Sequence, residues 1–219
     1  MKTIKSFLIL SCLLFAGCSP TILFNSPQPS DKKDLVRFPA RYLGEYMEIE
    51  DSSFCILEKY MIRELYSSYI RTSLSDLDTS KELVLKDNIV YIPETGEEVH
   101  VITRNDSVFG TYITYDTVFL ISGENILRKY KGYYFMNIRN DEDEWVVYKL
   151  KFRKDGSASL CGISEDEEME RLKEITTIVE ETNDKGKVTK YIITPGKEEF
   201  KQIIKEGHFK ECTEYRKVN

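Results

Sequence analysis

The residues best suited to metal or hydrolytic chemistry in this sequence are its two histidines, His100 and His208. They lie far apart, and no set of three or four His and Cys residues at metal-ligand spacing accompanies them, whereas a zinc site normally needs such a set. The sequence also lacks a G-x-S-x-G turn and a glycine-rich phosphate loop. We therefore expect two surface or half-buried histidines, no metal, no cofactor and no catalytic residue that can be named.

Two acidic runs offer carboxylates that could bind calcium or act as an acid and base pair. The run NDEDE at residues 140–144 neither alternates its oxygen ligands nor carries the sharp-turn glycine of a calcium loop, so we expect an exposed hairpin tip. Ser164 and Glu167 form a helix capping box, which accounts for the second run. Glycoside hydrolysis needs two carboxylates that meet across a cleft, and the sequence alone identifies no such pair.

A cysteine stands at the end of an apolar run near the start of the sequence. Lys2 and Lys5 precede the almost wholly apolar residues 6–17, and Cys18 follows directly. This run is shorter than the roughly 20 residues that span a bilayer. A positive start followed by a short apolar run is typical of a secretory signal peptide, which we assign to residues 1–17.

The sequence FAGC at residues 15–18 resembles the lipobox of bacterial lipoproteins, with Phe15 where leucine is commonest. The resemblance implies that the thiol of Cys18 takes a diacylglyceryl group and that cleavage leaves Cys18 as the first residue of the mature chain. The alternative is an ordinary signal peptide cut at Ala16 or Gly17, with Cys18 free. Two or three acyl chains on one cysteine would hold the protein on a membrane essentially permanently.

Three further cysteines, Cys55, Cys161 and Cys212, stay in the chain after the signal peptide is removed. Outside the cytoplasm they meet oxidising conditions. Three is an odd number, so at least one thiol has no partner within the chain. If one disulfide forms, we predict Cys161 with Cys212, which both lie on expected late strands; the alternative is three small buried side chains.

The charge of the chain argues against binding to nucleic acid. The full sequence has a net charge of −6, and removal of residues 1–17 takes away two lysines and no acidic residue, which gives −8. Proteins that bind nucleic acid present clustered Lys and Arg to the phosphates, and no such cluster is visible in the sequence. Nor does it contain a polybasic stretch that would hold anionic lipid.

Between the attachment cysteine and the first strong strand pattern, residues 18–36 read as a flexible tether. Pro20, Pro27 and Pro29 stand among Ser and Asn residues, a composition that favours extended, unpaired backbone. Residues 37–219 then form a single β-rich domain. A faint likeness between YLGEYMEI at Tyr42 and YKGYYFMNI at Tyr130 suggests two similar halves, residues 37–127 and 128–219, or chance.

The domain is expected to be mainly β, an antiparallel barrel or sandwich with two short helices in its C-terminal part. Apolar runs alternate with turn-forming groups every 8 to 12 residues or so. The turns are predicted at residues 86–88, 104–106, 122–125, 154–156 and 182–187. The chain is also rich in aromatic residues, with 14 Tyr and 11 Phe, which suits packed strand faces.

Two helices and one ambiguous segment complete the sequence-based assignment. The first helix follows the capping box at Ser164, and the second begins at Thr194 and Pro195 and ends at Gly207. Phe200, Ile203 and Ile204 make the apolar stripe of the second helix. Residues 53–72 combine helical spacing of apolar side chains with many β-branched and aromatic residues, so periodicity leaves helix and strand both open.

The second half of the chain, with YKGYYFMNI, EWVVYKLKF and a final ITPGKEEFKQIIKEGHF, resembles envelope lipoproteins of Bacteroidota whose activity is not known. The succession of short strands is also similar to lipocalins in architecture. Fold does not give function. The resemblance implies a lipid-anchored protein of the cell envelope, placed in the outer membrane on its periplasmic face, with surface exposure as the other option.

Three functions follow as hypotheses. The first is a binding module whose aromatic strands shape a cavity or face for an apolar small molecule or an envelope protein. The second is a structural or assembly subunit of an envelope complex. The third is an envelope hydrolase, which requires an acidic pair lining a pocket.

Overall fold

The computed structural model describes residues 20–50, 53–79, 83–93, 96–141, 143–163 and 166–218. The expected signal peptide, Cys18 and the capping residue Ser164 lie outside the described residues. Within them the chain is mainly β, the strands pair almost entirely antiparallel, and two of the three α-helices belong to the C-terminal part. The predicted fold class is confirmed.

The described residues form sixteen strands and three α-helices, together with a short 3₁₀ turn at Ala40–Tyr42. The strands are β1 (Thr21–Phe24), β2 (Asp34–Leu35), β3 (Gly44–Glu48), β4 (Phe54–Leu57), β5 (Met61–Ser73), β6 (Val84–Lys86), β7 (Ile89–Ile92), β8 (Glu97–Arg104), β9 (Ser107–Leu120), β10 (Ile126–Tyr130), β11 (Tyr133–Asp141), β12 (Glu144–Phe152), β13 (Ser157–Gly162), β14 (Thr177–Thr182), β15 (Val188–Thr194) and β16 (Glu211–Lys217). The helices are α1 (Leu74–Thr79), α2 (Asp166–Lys173) and α3 (Lys197–Glu206).

All strands belong to one hydrogen-bonded sheet that does not close on itself. Its order is β14-β15-β1-β12-β13-β16-β3-β4-β5-β9-β8-β7-β6, with β11 also paired to β12, β10 beside β11, and β2 beside β10. The pairing is antiparallel except between β1 and β15. Most neighbours in the sheet are also neighbours in sequence, as expected of a chain built from hairpins.

The hairpin turns lie where the turn residues predicted them. Asp87 and Asn88 both have positive φ, 51° and 63°, between β6 and β7. Two consecutive positive φ values are the signature of a type I′ turn, which Asp and Asn tolerate better than other residues with a side chain. Asn105, with φ 53°, begins the two-residue turn between β8 and β9.

The ambiguous residues 53–72 are strands. They form the β4–β5 hairpin, and β5 then pairs with β9 from Met61 opposite Leu120 to Ser73 opposite Ser107. This long two-stranded ribbon supplies backbone hydrogen bonds along its length, so tertiary pairing decides a segment that side-chain spacing leaves open.

The main hydrophobic core lies inside the curl of the sheet. Its buried side chains come from strands as distant in the sheet order as β9, β4, β3, β13 and β10. One cluster can draw on all of them only if the sheet wraps round it. The amide of Phe38 donates to the carbonyl of Lys59 over 2.9 Å, which links the chain after β2 to the β4–β5 turn. The result is a curled, barrel-like sheet.

A second core covers the outer side of β11, β12 and β13. Met169 and Leu172 of α2, with Phe200 and Ile203 of α3, pack there against Phe135 and its neighbours. Strand β11 is therefore covered on both faces, and four successive residues, 134–137, are buried rather than alternating.

A third, smaller core lies at the far part of the β5–β9 ribbon. There Ile70, Val108 and Val101 pack with Val90, Val99 and Leu77, which brings β6, β7 and β8 and helix α1 against the ribbon. We call this part the ribbon lobe.

The tether expected over residues 18–36 is wrong for its described part. Residues 21–24 form β1, which lies parallel to β15 with Thr21 opposite Lys190 and Phe24 opposite Ile193. Leu23 and Phe24 are fully buried. The three prolines do not prevent this, because the strand lies between Pro20 and Pro27 and keeps all its amide donors.

Two smaller expectations also differ from the structure. Helix α3 begins at Lys197 with Gly196 as its N-cap, so Pro195 precedes the helix instead of starting it; Gly207, with φ 79°, ends it as predicted. The suggested boundary between residues 127 and 128 falls inside β10, which pairs with β11 across that point.

Candidate binding site

A pocket of about 420 Å³ lies at one end of the curled sheet, where β3, β12, β13 and β16 begin or end. We call it the mouth pocket. Its lining residues are Arg41, Tyr42, Tyr46, Phe152, Arg153, Lys154, Gly156, Ser157 and Lys217. Four of the nine are basic and none is acidic, although the whole chain has a net charge of −6. The volume is within the range of small-molecule sites.

The floor of the mouth pocket is aromatic. The rings of Tyr42 and Phe152 stack with their centroids 4.1 Å apart and an interplanar angle of 10°. Tyr134 meets both rings edge-on from the core. Because the buried Tyr134 ring packs against both members of the stack, the stack presents a rigid flat surface to the pocket.

Tyr46 supports the stack through its hydroxyl group, which donates a 2.7 Å hydrogen bond to the carbonyl oxygen of Tyr42. Burial, followed by the nearby Tyr42, raises the pKa of Tyr46 to about 12. The hydroxyl therefore stays protonated at neutral pH and keeps donating this bond.

The four cations of the pocket are not equivalent. Arg153 is held by Glu214 through two bonds of 2.6 and 3.0 Å, and this pairing raises the pKa of its guanidinium. The guanidinium of Arg41 lies 4.6 Å from the centroid of the Tyr42 ring. Among the described residues, neither Lys154 nor Lys217 has a carboxylate within ion-pair distance. Arg41, Lys154 and Lys217 thus remain to meet an anion.

A glycine makes room for one of these lysines. A Cβ atom at Gly44 would stand 2.9 Å from Cε of Lys217, and the φ of Gly44 is 137°. Glycine is the residue that takes this backbone conformation readily. Lys217 can therefore lie against the start of β3, at the edge of the mouth pocket.

The nearby turn is built to hold the pocket edge. The carboxylate of Asp155 accepts hydrogen bonds from the hydroxyl and the amide of Ser157, at 2.7 and 2.9 Å. The hydroxyl bond first and then the amide bond lower the pKa of Asp155. These two bonds fix the β12–β13 turn, and the charge of Asp155, after that of Glu214, also helps to raise the pKa of the Arg153 guanidinium.

The interior of the curled sheet contains a much smaller cavity of about 80 Å³. Tyr46 and Phe152 line it as well, so it lies behind the floor of the mouth pocket. Glu64 is the single carboxylate among its described lining residues. Small-molecule sites in proteins usually occupy 300–1,000 Å³, so the core is essentially filled. It does not resemble the hollow interior of a ligand-carrying barrel.

Two polar side chains of this cavity interact with each other. Tyr215 forms a side-chain hydrogen bond with Cys55, and burial together with this neighbour raises the pKa of the Tyr215 hydroxyl. Cys55 is the cysteine outside any disulfide among the described residues, and it is half-buried.

The cysteines predicted to pair, Cys161 and Cys212, form a disulfide bond between directly opposite residues of β13 and β16. This bond lies on the strands that also shape the mouth pocket, but neither cysteine lines it. Among the described residues, no group of three or more His, Cys, Asp and Glu side chains could hold a metal ion. No described helix is long and apolar enough to cross a membrane.

The two histidines have very different surroundings. His100 is exposed on β8, whereas His208 is 3% exposed and lies under α2, so the expectation of a surface or half-buried histidine is wrong for His208. Its Nδ1 is 2.7 Å from Oε2 of Glu168, and its Nε2 is 3.4 Å from Oε2 of Glu206. The amine of Lys210 reaches the other oxygen of Glu168. This buried cluster fixes α2 to the chain after α3.

Sequence reasoning missed the residues of the mouth pocket. They come from four separate stretches around positions 41, 46, 153 and 217, and no local motif joins them. The stretch RKDG at residues 153–156 gave the one available signal, since it places two cations in a tight turn next to an aromatic strand end.

Comparison with known proteins adds no assignment: the chain matches no protein-family model, no curated protein and no solved structure. The site must therefore be interpreted from its own chemistry.

Proposed function

We propose that this chain is a lipid-anchored envelope protein that binds an anionic small molecule with a flat, apolar part in the mouth pocket. The attachment point is Cys18, and the location is the outer membrane, on its periplasmic face. The observation that carries the ligand assignment is a set of uncompensated cations around a stacked pair of aromatic rings. The cations would bind a phosphate or carboxylate, and the rings would pack against the flat part.

This proposal narrows the binding hypothesis drawn from the sequence. A purely apolar ligand would need an apolar cavity of its own size, and the interior cavity of about 80 Å³ is too small for one. A hydrolase would need paired carboxylates, and among the described lining residues of that cavity Glu64 stands alone. A binding pocket open at the end of the sheet is the function that the described geometry supports best.

The test uses a soluble form that begins at residue 19 and three probes with matched parts. Phenyl phosphate carries both the ring and the anion, inorganic phosphate carries the anion alone, and benzyl alcohol carries the ring alone. Calorimetric titration should show that phenyl phosphate binds most tightly. Equal affinity for benzyl alcohol, or no binding of phenyl phosphate, would show that the charges and rings do not act together.

The variant Lys217→Gln should weaken the binding of phenyl phosphate about tenfold or more, because a bond to a charged group contributes about 1.5–3 kcal/mol. Binding of benzyl alcohol should not change. Lys86→Gln, which alters an exposed lysine of the ribbon lobe, is the matched control and should leave both affinities unchanged. A Lys217→Gln variant that binds phenyl phosphate normally would contradict the assignment.

A further inference from the structure

The first described strand of this chain begins three residues after the proposed lipid attachment point, Cys18. Strand β1 begins at Thr21 and is fixed along β15 by four consecutive register pairs. Its second half, Leu23 and Phe24, is fully buried. Only Ser19 and Pro20 separate Cys18 from this strand.

The length of that connection sets a limit on the distance between lipid and domain. A chain spans at most about 3.3–3.6 Å per residue, so the three steps from Cys18 to Thr21 cover about 11 Å at full extension. A tether over residues 18–36 would have allowed several times that distance. We propose that the domain stands directly on the bilayer, with the tip of the β14–β15 hairpin in contact with the lipid headgroups beside the anchor.

The parallel register explains why this hairpin tip is the contact. Thr21 lies opposite Lys190, two residues past the start of β15 at Val188, so the first end of β1 is the end nearest the tip. The tip comprises residues 183–187, all of which are exposed. An anchor at Cys18 can lie no more than about 11 Å from this end of β1, so the membrane surface must be close to the end of the sheet that carries the tip.

The shape and charge of the tip suit a surface of phosphate groups. The side-chain oxygen of Asn183 accepts hydrogen bonds from the amides of Lys185 and Lys187, at 3.0 and 3.1 Å, and Gly186 takes a positive φ of 75°. This turn holds two exposed lysines against one acidic residue, Asp184. Lysines near a membrane surface are attracted to anionic headgroups.

Lys190, further along β15, forms ion pairs within the protein. Its amine is 2.7 Å from Glu144 and 3.5 Å from Glu181, and the Glu144 bond is the main cause of its raised pKa. Lys190 is thus committed within the protein, and the headgroup contact is assigned to Lys185, which is exposed in the middle of the tip.

The inference rests on lipid attachment at Cys18 and is tested with the lipidated protein purified from membranes. Cys55→Ser removes the competing thiol, and Lys185→Cys or Glu198→Cys receives a fluorescent label. Glu198 lies past the other end of β15, about 20 Å away by strand rise. The vesicles contain zwitterionic lipid with 30% phosphatidylglycerol, and a headgroup-attached spin label acts as quencher.

Quenching should be at least twofold stronger at position 185 than at position 198. Insertion of twelve Gly and Ser residues between Ser19 and Pro20 should bring quenching at 185 down to the level at 198, because such a linker spans about 19 Å on average. Quenching at 185 that is absent, or weaker than at 198, would overturn the proposal. So would quenching that the longer linker leaves unchanged.

The two proposals can fail separately. Loss of the protein from the membrane fraction in Cys18→Ala reports on the anchor, and phenyl phosphate titration of the soluble form reports on the mouth pocket. With the label placed at Asp184→Cys, the further change Lys185→Gln should reduce quenching in anionic vesicles. An unchanged signal there would remove Lys185 from the contact.

Discussion

At the scale of single residues, the buried pair of Glu168 and His208 shows how a polar cluster can be stable inside this domain. Burial alone would raise the pKa of Glu168, but hydrogen bonds from Lys210 and His208 outweigh it and hold the pKa below the usual 4.5. The carboxylate is therefore charged when the protein is folded, with both oxygens satisfied. A buried charge with full partners is tolerated, whereas an unpaired one is costly.

We predict that Glu168→Gln destabilises the protein at pH 7 by about 1–3 kcal/mol, because His208 and Lys210 lose a charged acceptor. Since the folded-state pKa of Glu168 is lowered, its contribution is complete above its unfolded value and is lost as the pH falls through the folded one. The difference between the variant and the wild type should therefore shrink below about pH 4.5. Urea unfolding of both proteins between pH 7 and pH 3 measures this difference in the free energy of unfolding.

Glu170→Gln is the matched control, since Glu170 lies on the same helix but is exposed. It should change the free energy of unfolding by no more than about 0.5 kcal/mol. A Glu168→Gln effect that stays constant across the pH range would contradict the role assigned to the charged carboxylate.

At the scale of elements, β1 is the strand that joins distant parts of the domain. It lies between β15 and β12, and Phe24 pairs with Ile193 on one side and Trp145 on the other. The Phe24 ring also meets the rings of Phe200 and Phe209. Strand β1 thus connects the β14–β15 hairpin to the curled sheet.

Phe24→Ala should therefore lower the free energy of unfolding by about 3–5 kcal/mol, the usual cost of emptying a buried aromatic site. Thermal or urea unfolding of the soluble form gives the value. Thr21→Ala, at an exposed position of the same strand, should change it by less than about 0.5 kcal/mol. If Phe24→Ala were equally harmless, residues 21–24 would be a tether after all.

At the scale of the whole molecule, the ribbon lobe presents an apolar face opposite its own core. Tyr69 is 78% exposed, and Ile102, Ile113 and Tyr115 are also largely exposed. Arg71 lies over the Phe109 ring at 5.8 Å, so the face combines apolar side chains with positive charge. An exposed apolar patch of this kind suits a protein partner, and the positive charge favours an acidic one. An exposed face of this kind is what the alternative hypothesis, a subunit of an envelope complex, would require.

If this face binds an acidic envelope protein, a photo-crosslinking residue at Tyr69 should give one discrete crosslinked product in cells. Tyr66 is three residues away and on the opposite face of the ribbon, so the same residue placed there is the matched control and should give none. With the photo-crosslinking residue kept at position 69, the pair Ile113→Ser and Tyr115→Ser should abolish the product while phenyl phosphate binding stays normal. Equal crosslinking from positions 69 and 66 would rule out a specific face.

Much of the β architecture was predictable because its signals are local. The turns at residues 86–88 and 104–106 depend on Asp and Asn residues that accept positive φ, and such preferences are visible in a few neighbouring letters. The end of α3 at Gly207 has the same origin. Residues 53–72 needed the tertiary structure, because their side chains fit a helix and a strand equally well until β9 supplied the hydrogen bonds.

The sequence by itself determined a strand-rich, acidic domain, since composition and turn chemistry act within short segments. Only the tertiary structure decided that residues 21–24 join the sheet, that His208 meets Glu168, and that Arg41, Lys154 and Lys217 surround one pair of rings. Each of these depends on groups far apart in the chain. Their approach is decided by the burial of the whole core, a quantity that no short stretch of sequence contains.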